Sequence, residues 1–142
     1  MQNKEILSFH GDHHFLSNFH SCQTIYKGVT FQNSEAAFQA QKEPARAHEF
    51  ANLEPGASKK LGFKVKLIPN WDKLKDQVMY DVVKAKFSQN PDLLTQLLAT
   101  GDVHLEEGNT WRDRYWGTVN RCGQNKLGCI LMRLRAEQKN LI

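Results

Sequence analysis

The sequence predicts an α+β fold, mainly helical, organised as one domain over residues 1–142 with a few short strands. Three observations lead there. Apolar residues recur at spacings of three and four in several long stretches, the pattern of helices that bury one face. Strand-like segments are few and short, gathered near the amino end and around residue 104. The chain has 142 residues, 40% of them hydrophobic, which is enough for a core without disulfide or metal staples. No internal repeat, low-complexity tract or linker divides it.

Ile6 to Phe9 is apolar enough for a short strand, and His10 to His14 then reads as a loop. Thr24 to Phe31 reads as a second strand or hairpin, with Lys27-Gly28 where a tight turn belongs. Asn33 or Ser34 can cap the first long helix, and Glu35 in its first turn suits the helix dipole. Pro44 opens a short helix through Ala45 to Leu53, ended by Pro55-Gly56. Ala57 to Gly62 adds another turn or two. After Ile68-Pro69-Asn70, the spacing of Trp71, Leu74, Val78, Val82 and Ala85 predicts an amphipathic helix. Asn90-Pro91 supplies a cap and a first-turn proline for a helix carrying Leu93, Leu94, Leu97 and Leu98. Val103 to Glu106 is a short strand candidate, and Gly108 to Asn120 a polar-aromatic loop. The final helix carries Leu127, Ile130, Leu131 and Leu134 on one face.

Composition narrows the function classes. The formal charge of +4 suits anionic partners without specifying them. No apolar run approaches a bilayer span, and Met1-Gln2-Asn3-Lys4-Glu5 has no signal-peptide apolar region, so no membrane association and a cytoplasmic location are expected. Cys22, Cys122 and Cys129 are odd in number and lack a C-x-x-C pair, which fits reduced thiols. Cys122 and Cys129, two turns apart, read as small buried packing residues. His10, Asp12, His13 and His14 look like metal ligands, yet adjacent histidines rarely face one ion and no second cluster completes a site. No metal and no cofactor are expected.

Three segments hold side chains that the helical core pattern does not explain. One is the polar pair Ser17-Asn18 between Leu16 and Phe19. Another is Asn33 to Lys42, where the i, i+4, i+7 spacing places Glu35, Gln39 and Lys42 on one helix face. Such a face is either ordinary helix decoration or the floor of an active site. The third is Gly108 to Gly117, with Trp111, Arg112, Asp113, Arg114, Tyr115 and Trp116. Aromatic rings beside Arg offer stacking and phosphate contacts together, whereas the plain alternative has Trp111 and Trp116 plugging the core.

At this point the chain resembles the NADAR, or YbiA-like, family. The resemblance rests on Leu16-Ser17-Asn18-Phe19, Ser34-Glu35-Ala36-Ala37-Phe38-Gln39-Ala40-Gln41-Lys42, Asn70-Trp71-Asp72, Asp113-Arg114-Tyr115-Trp116-Gly117 and Gly123-Gln124-Asn125-Lys126-Leu127-Gly128. These five motifs stand in the family's order from about Phe9 to Arg135. The resemblance implies a compact, largely helical α+β fold and an N-glycosidase. Members cleave early riboflavin-pathway intermediates or remove ADP-ribose from modified guanine in nucleic acid. It implies Glu35 as the leading catalytic carboxylate and Asp113 as a second acid. Substrate-binding roles are implied for Ser17, Asn18, Phe19, Gln39, Trp71, Arg112, Tyr115, Trp116, Gly117 and Asn125. Lys42 has two functional readings, a cation for phosphate or an amine that forms a Schiff base with an opened ribose; the plain alternative is a helix-end lysine that only suits the helix dipole. Asn18 and Asn125 either orient sugar or phosphate, or cap backbone groups.

The implied chemistry suits these residue types. Breaking a ribosyl C1–N bond builds positive charge on the sugar and negative charge on the departing base. A carboxylate near C1 stabilises that cation or activates water, and a second group assists the leaving base. Expected partners are a ribose-phosphate or ADP-ribose-bearing substrate, nucleic acid as a modified substrate, and functional pairing with an ADP-ribosyl transferase. Two arginines bracketing Asp113 suit a diphosphate or a polynucleotide better than a monophosphate. The rival readings are a module that binds ADP-ribose or related nucleotides without cleaving them, and a structural basic domain on nucleic acid.

Overall fold

The computed structural model describes residues 4–141 and has the mainly helical α+β class that the sequence predicts. Its residues group into two compact units, one formed by Asn18–Pro91, the other by the chain up to Ser17 together with everything from Asp92 onward.

In the Asn18–Pro91 unit, β1 (Ser21–Tyr26) and β2 (Val29–Asn33) pair antiparallel, with Thr24 opposite Phe31 and Tyr26 opposite Val29. Lys27 and Gly28 both take positive φ, 49° and 81°, so the predicted turn carries the twist that hairpin strands need. β2 runs straight into α1 (Ser34–Ala40), whose seven residues are all buried. Asn33 stays extended while its side chain accepts from Ala36 N at 2.7 Å, which makes it, of the two candidates Asn33 and Ser34, the cap.

The first helix is shorter than expected. Gln41 N and Lys42 N fall back to the Phe38 and Gln39 carbonyls, at 3.0 and 3.1 Å, so the chain tightens and Lys42 lies just beyond the helix end. Pro44 restricts Glu43 and prevents continuation. A 3₁₀ segment, Pro44–Phe50, follows. Pro55 then opens α2 (Pro55–Gly62) instead of ending its predecessor, because a first-turn proline loses no helical hydrogen bond.

α3 (Trp71–Gln89) forms where predicted, with its apolar stripe rotated. Trp71, Met79, Val82, Val83 and Phe87 are buried, whereas Leu74 is 42% exposed. Lys86 is fully enclosed on the same face. At the end of α3 the Gln89 amide accepts from Ile25 N at 2.7 Å and donates to Ile25 O at 2.8 Å, covering the strand edge as a further strand would.

In the other unit, α4 (Pro91–Ala99) buries Leu93 and Leu97, and α5 (Lys126–Lys139) buries Leu127, Ile130, Leu131 and Leu134. The strands expected at Ile6–Phe9 and Val103–Glu106 shrink to a parallel bridge between Ile6 and Leu105. His10–His14 winds into a 3₁₀ helix, Gly11–Leu16, which carries Phe15 and Leu16 into the interior. Cys122 and Cys129 are exposed, contrary to expectation: Cys122 lies in the loop before α5, and on α5 the leucines and Ile130 take the inward face from Cys129. Among the described residues no helix is long and apolar enough to cross a membrane.

Candidate active site

Glu35 is 8% exposed in the first turn of α1, a position few carboxylates occupy without partners. Its backbone N–H donates to Asn18 O at 3.1 Å, and its Oε2 accepts from Gln39 Nε2 at 2.6 Å. Asn18 Oδ1 accepts from Ser34 Oγ at 2.9 Å and its Nδ2 faces Met79 Sδ at 3.3 Å, so this asparagine anchors the start of the helix. Gln39 is buried too, and its Oε1 has no hydrogen-bond partner among the described residues. Gly62 presses on that amide; a Cβ there would collide with Gln39 Oε1. Sequence reasoning missed Gly62, although a glycine ending α2 is a signal for close approach.

The rest of the predicted α1 cluster gathers nearby. Trp71 packs against Phe38 of α1, with ring centroids 5.4 Å apart. Lys42 is half-buried, and its Nζ stands 5.4 Å from the centre of the Phe63 ring. Burial lowers the Lys42 pKa; the Glu35 charge opposes this, and Lys59 and Lys75 reinforce it. Phe19 is 42% exposed.

The aromatic loop lies in the other unit and has its own scaffold. Asp113 Oδ1 accepts from both Tyr115 N and Trp116 N at 2.9 Å, so one carboxylate oxygen holds a turn. Asn109 clamps the same residue: its Oδ1 accepts from Asp113 N at 3.0 Å and its Nδ2 donates to Asp113 O at 2.8 Å. Tyr115 and Trp116 meet edge to face at 4.9 Å, and Lys126 Nζ sits 5.6 Å from the Tyr115 ring centre. Arg112 is exposed, with a left-handed backbone at φ 67°. Trp111 is 49% exposed and Trp116 half-buried, so neither plugs the core.

Two predicted binding residues, Asn125 and Gly117, also serve the scaffold, and Ser17 does so through its backbone. Asn125 Oδ1 accepts from Glu107 N and its Nδ2 donates to Leu105 O, both at 2.9 Å, so its amide is a strut between backbone segments. Gly117 is a packing glycine, because a Cβ would strike the Glu107 carbonyl. Ser17 ends the 3₁₀ helix, donating its N–H to His14 O at 2.9 Å.

Under the loop lies Glu106, which sequence reasoning missed because it falls within a segment that reads as strand. It is 4% exposed and meets Thr118 Oγ1 at 2.7 Å, His104 Nε2 at 3.0 Å and Arg121 Nε at 3.1 Å. Burial would raise its pKa, but the hydrogen bonds from Thr118 and His104 and the Arg121 guanidinium together hold it below the usual carboxylate range. Among the described residues no group of three His, Cys, Asp or Glu side chains is placed to hold a metal.

A buried acid–amide pair on a short capped helix, in a small mainly helical α+β fold, defines a class that comparison with known proteins makes specific. The NADAR domain matches residues 5–139, and the chain belongs to that family. N-glycosidase YbiA of Shigella boydii is 37% identical over 132 residues, covering 89% of this chain and 82% of that protein. A riboflavin biosynthesis protein of Vibrio vulnificus is 35% identical over 132 residues, and the chain spans only 36% of its length. The NMR structure of the E. coli protein YbiA matches with a TM-score of 0.85 at 35% identity, covering 99% of this chain and 88% of that one.

Proposed function

We propose that this protein is an N-glycosidase that hydrolyses a ribose C1–N bond, with Glu35 as its acting carboxylate. The observation that carries this reading is the buried Glu35 held at 2.6 Å by Gln39. A carboxylate withdrawn from bulk water and fixed in orientation interacts strongly with positive charge developing at C1. As the C1–N bond breaks, its electron pair leaves with the base nitrogen. The oxygen of an attacking water bonds to C1; one water proton passes by way of Glu35 to solvent, and the base acquires a proton on its nitrogen. Trp71, packed on Phe38, braces α1. Asp113 is the second acid of the proposal, acting through Oδ2 since Oδ1 holds the turn.

The substrate is a ribosyl-base that carries phosphate, either a ribosylamino-pyrimidine phosphate or an ADP-ribosylated guanine. In the second case nucleic acid enters as the modified substrate and an ADP-ribosyl transferase supplies the modification. The names of the relatives support the bond class, and that of the Vibrio protein supports the first substrate. The test is release of free base from both substrates, followed by chromatography. Glu35→Gln keeps the shape of the site and is expected to lower base release at least about 100-fold, the scale of general acid–base catalysis. Wild-type rates in that variant remove Glu35 from the mechanism. Tight binding with no base released by the wild type makes the protein a binding module instead.

A further inference from the structure

A cavity of about 420 Å³ opens in the unit that carries the aromatic loop, with walls from residues 7–10 and 106–121. Backbone hydrogen bonds fix these walls in place. Gly108 N donates to Leu7 O at 3.0 Å, and Asn109 N donates to Thr118 O at 2.9 Å. Val119 and Cys122 exchange both backbone hydrogen bonds around Asn120 and Arg121, whose φ angles are 52° and 67°. That is a two-residue hairpin turn whose second position ordinarily falls to glycine. Here it carries an arginine, held by Glu106 at 3.1 Å and Glu5 at 3.3 Å.

The lining says what the cavity takes. Leu7 and Trp111 both line it, and they are 38% and 49% exposed. Two large apolar side chains showing in one concavity mark a binding site, as neither would alone. Arg121 also lines it, but two carboxylates already answer its charge, so the cavity has no surplus cation for a phosphate. Its five N–H donors nevertheless outnumber those contacts, and its side chain stays 55% exposed. A flat apolar wall beside an arginine fork suits a neutral planar ring with acceptors on its edge. A nucleobase is such a ring. The phosphates of a strand find cations outside the cavity, since Arg112 and Arg114 are exposed on the same loop.

We infer that this cavity receives an unpaired base of a single-stranded nucleic acid, stacked on Trp111 with its edge accepting from Arg121. A base within a duplex is stacked on both faces and does not enter. The site is additional to Glu35 and holds whether or not Glu35 cleaves a glycosidic bond.

Titration of the whole protein with a short single-stranded DNA of mixed sequence, its duplex form and adenosine tests the site without turnover. The tryptophan indole N–H signals in NMR spectra report it, that of Trp111 being identified by its loss in Trp111→Phe. The Trp111 signal is expected to shift with the single strand and not with the duplex. Trp111→Ala is expected to bind the strand at least about fivefold more weakly, the low end of base–aromatic stacking. Trp111→Phe keeps a ring and is expected to stay within a few-fold of the wild type. Leu67→Ala removes an apolar side chain that is 51% exposed in the other unit and is expected to bind as the wild type does. A strand that does not bind, an unweakened Trp111→Ala variant, or equal weakening in Leu67→Ala overturns the site. Equal binding of the duplex overturns it in favour of phosphate contacts, and equal binding of adenosine in favour of a nucleoside pocket. A Trp111 signal that moves with protein concentration alone marks an interface between copies and overturns it too. If the strand binds as expected while no base is released, the N-glycosidase reading fails and this site stands.

Discussion

Burying a lysine amine fully in a protein of this size has a measurable cost. Lys86 is 0% exposed on α3, its Nζ 5.1 Å from the Phe87 ring centre. Burial pushes its pKa from 10.5 down to about 8, with the Cys22 charge pulling weakly the other way. In the unfolded chain the amine returns to its ordinary value, so between pH 8 and 10.5 the unfolded state holds more protons than the folded one. Stability therefore rises with pH across that window, and below it the full cost of burying the charge is present. The gap corresponds to about 3 kcal/mol. Lys42, also lowered by burial, adds a rise of the same sign, whereas Tyr26, raised from 10.0 by burial and Asp81, lowers stability at higher pH. The clean interval is consequently pH 8 to 10. Urea unfolding at steps across that interval is expected to show wild-type stability rising by a substantial part of the 3 kcal/mol. Lys86→Met, similar in length and uncharged, is expected to be more stable than the wild type at pH 7 and to lose most of the rise. A flat or falling wild-type curve, with Lys86→Met running parallel to it, refutes the reasoning.

Gly62→Ala places a methyl group against the flexible end of Gln39, so it is expected to leave stability within about 1 kcal/mol while lowering base release several-fold, because Gln39 must let go of Glu35; thermal melts and rates measured side by side check it. Asp113→Asn keeps an oxygen for the Tyr115 and Trp116 N–H groups and removes the charge, so base release is expected to fall about tenfold or more with an unchanged melting temperature. Thr118→Val deletes the 2.7 Å hydrogen bond to Glu106 and is expected to destabilise by about 2 kcal/mol at pH 7. Because the fold depresses the Glu106 pKa from 4.5, that contribution is present above 4.5 and lost as pH falls through the folded value, so the gap between variant and wild type narrows in acid unfolding series.

Local chemistry made much of this protein legible in its sequence. Asn33 caps α1, Lys27-Gly28 turns the hairpin, and Pro91 opens α4, because capping, positive φ and the missing proline N–H act over a few residues. The leucines of α5 reported their own burial through simple periodicity. Glu35 and Gln39 stand as neighbours, as their spacing of four requires. Lys42, by contrast, lies beyond the helix end, because Pro44 cuts short the helix on which a spacing of seven depends.

What sequence could not reach depends on which distant residues share one space. Nothing local says that Asn125 braces Leu105 and Glu107, or that Gly62 touches Gln39. The rotated stripe of α3, with Leu74 outside and Lys86 inside, has the same origin. Periodicity names a helix within its own few turns, but the face it buries is chosen by the surfaces packed against it. Those surfaces come from residues tens of positions away, and their free energy of burial outweighs the hydropathy of a single side chain.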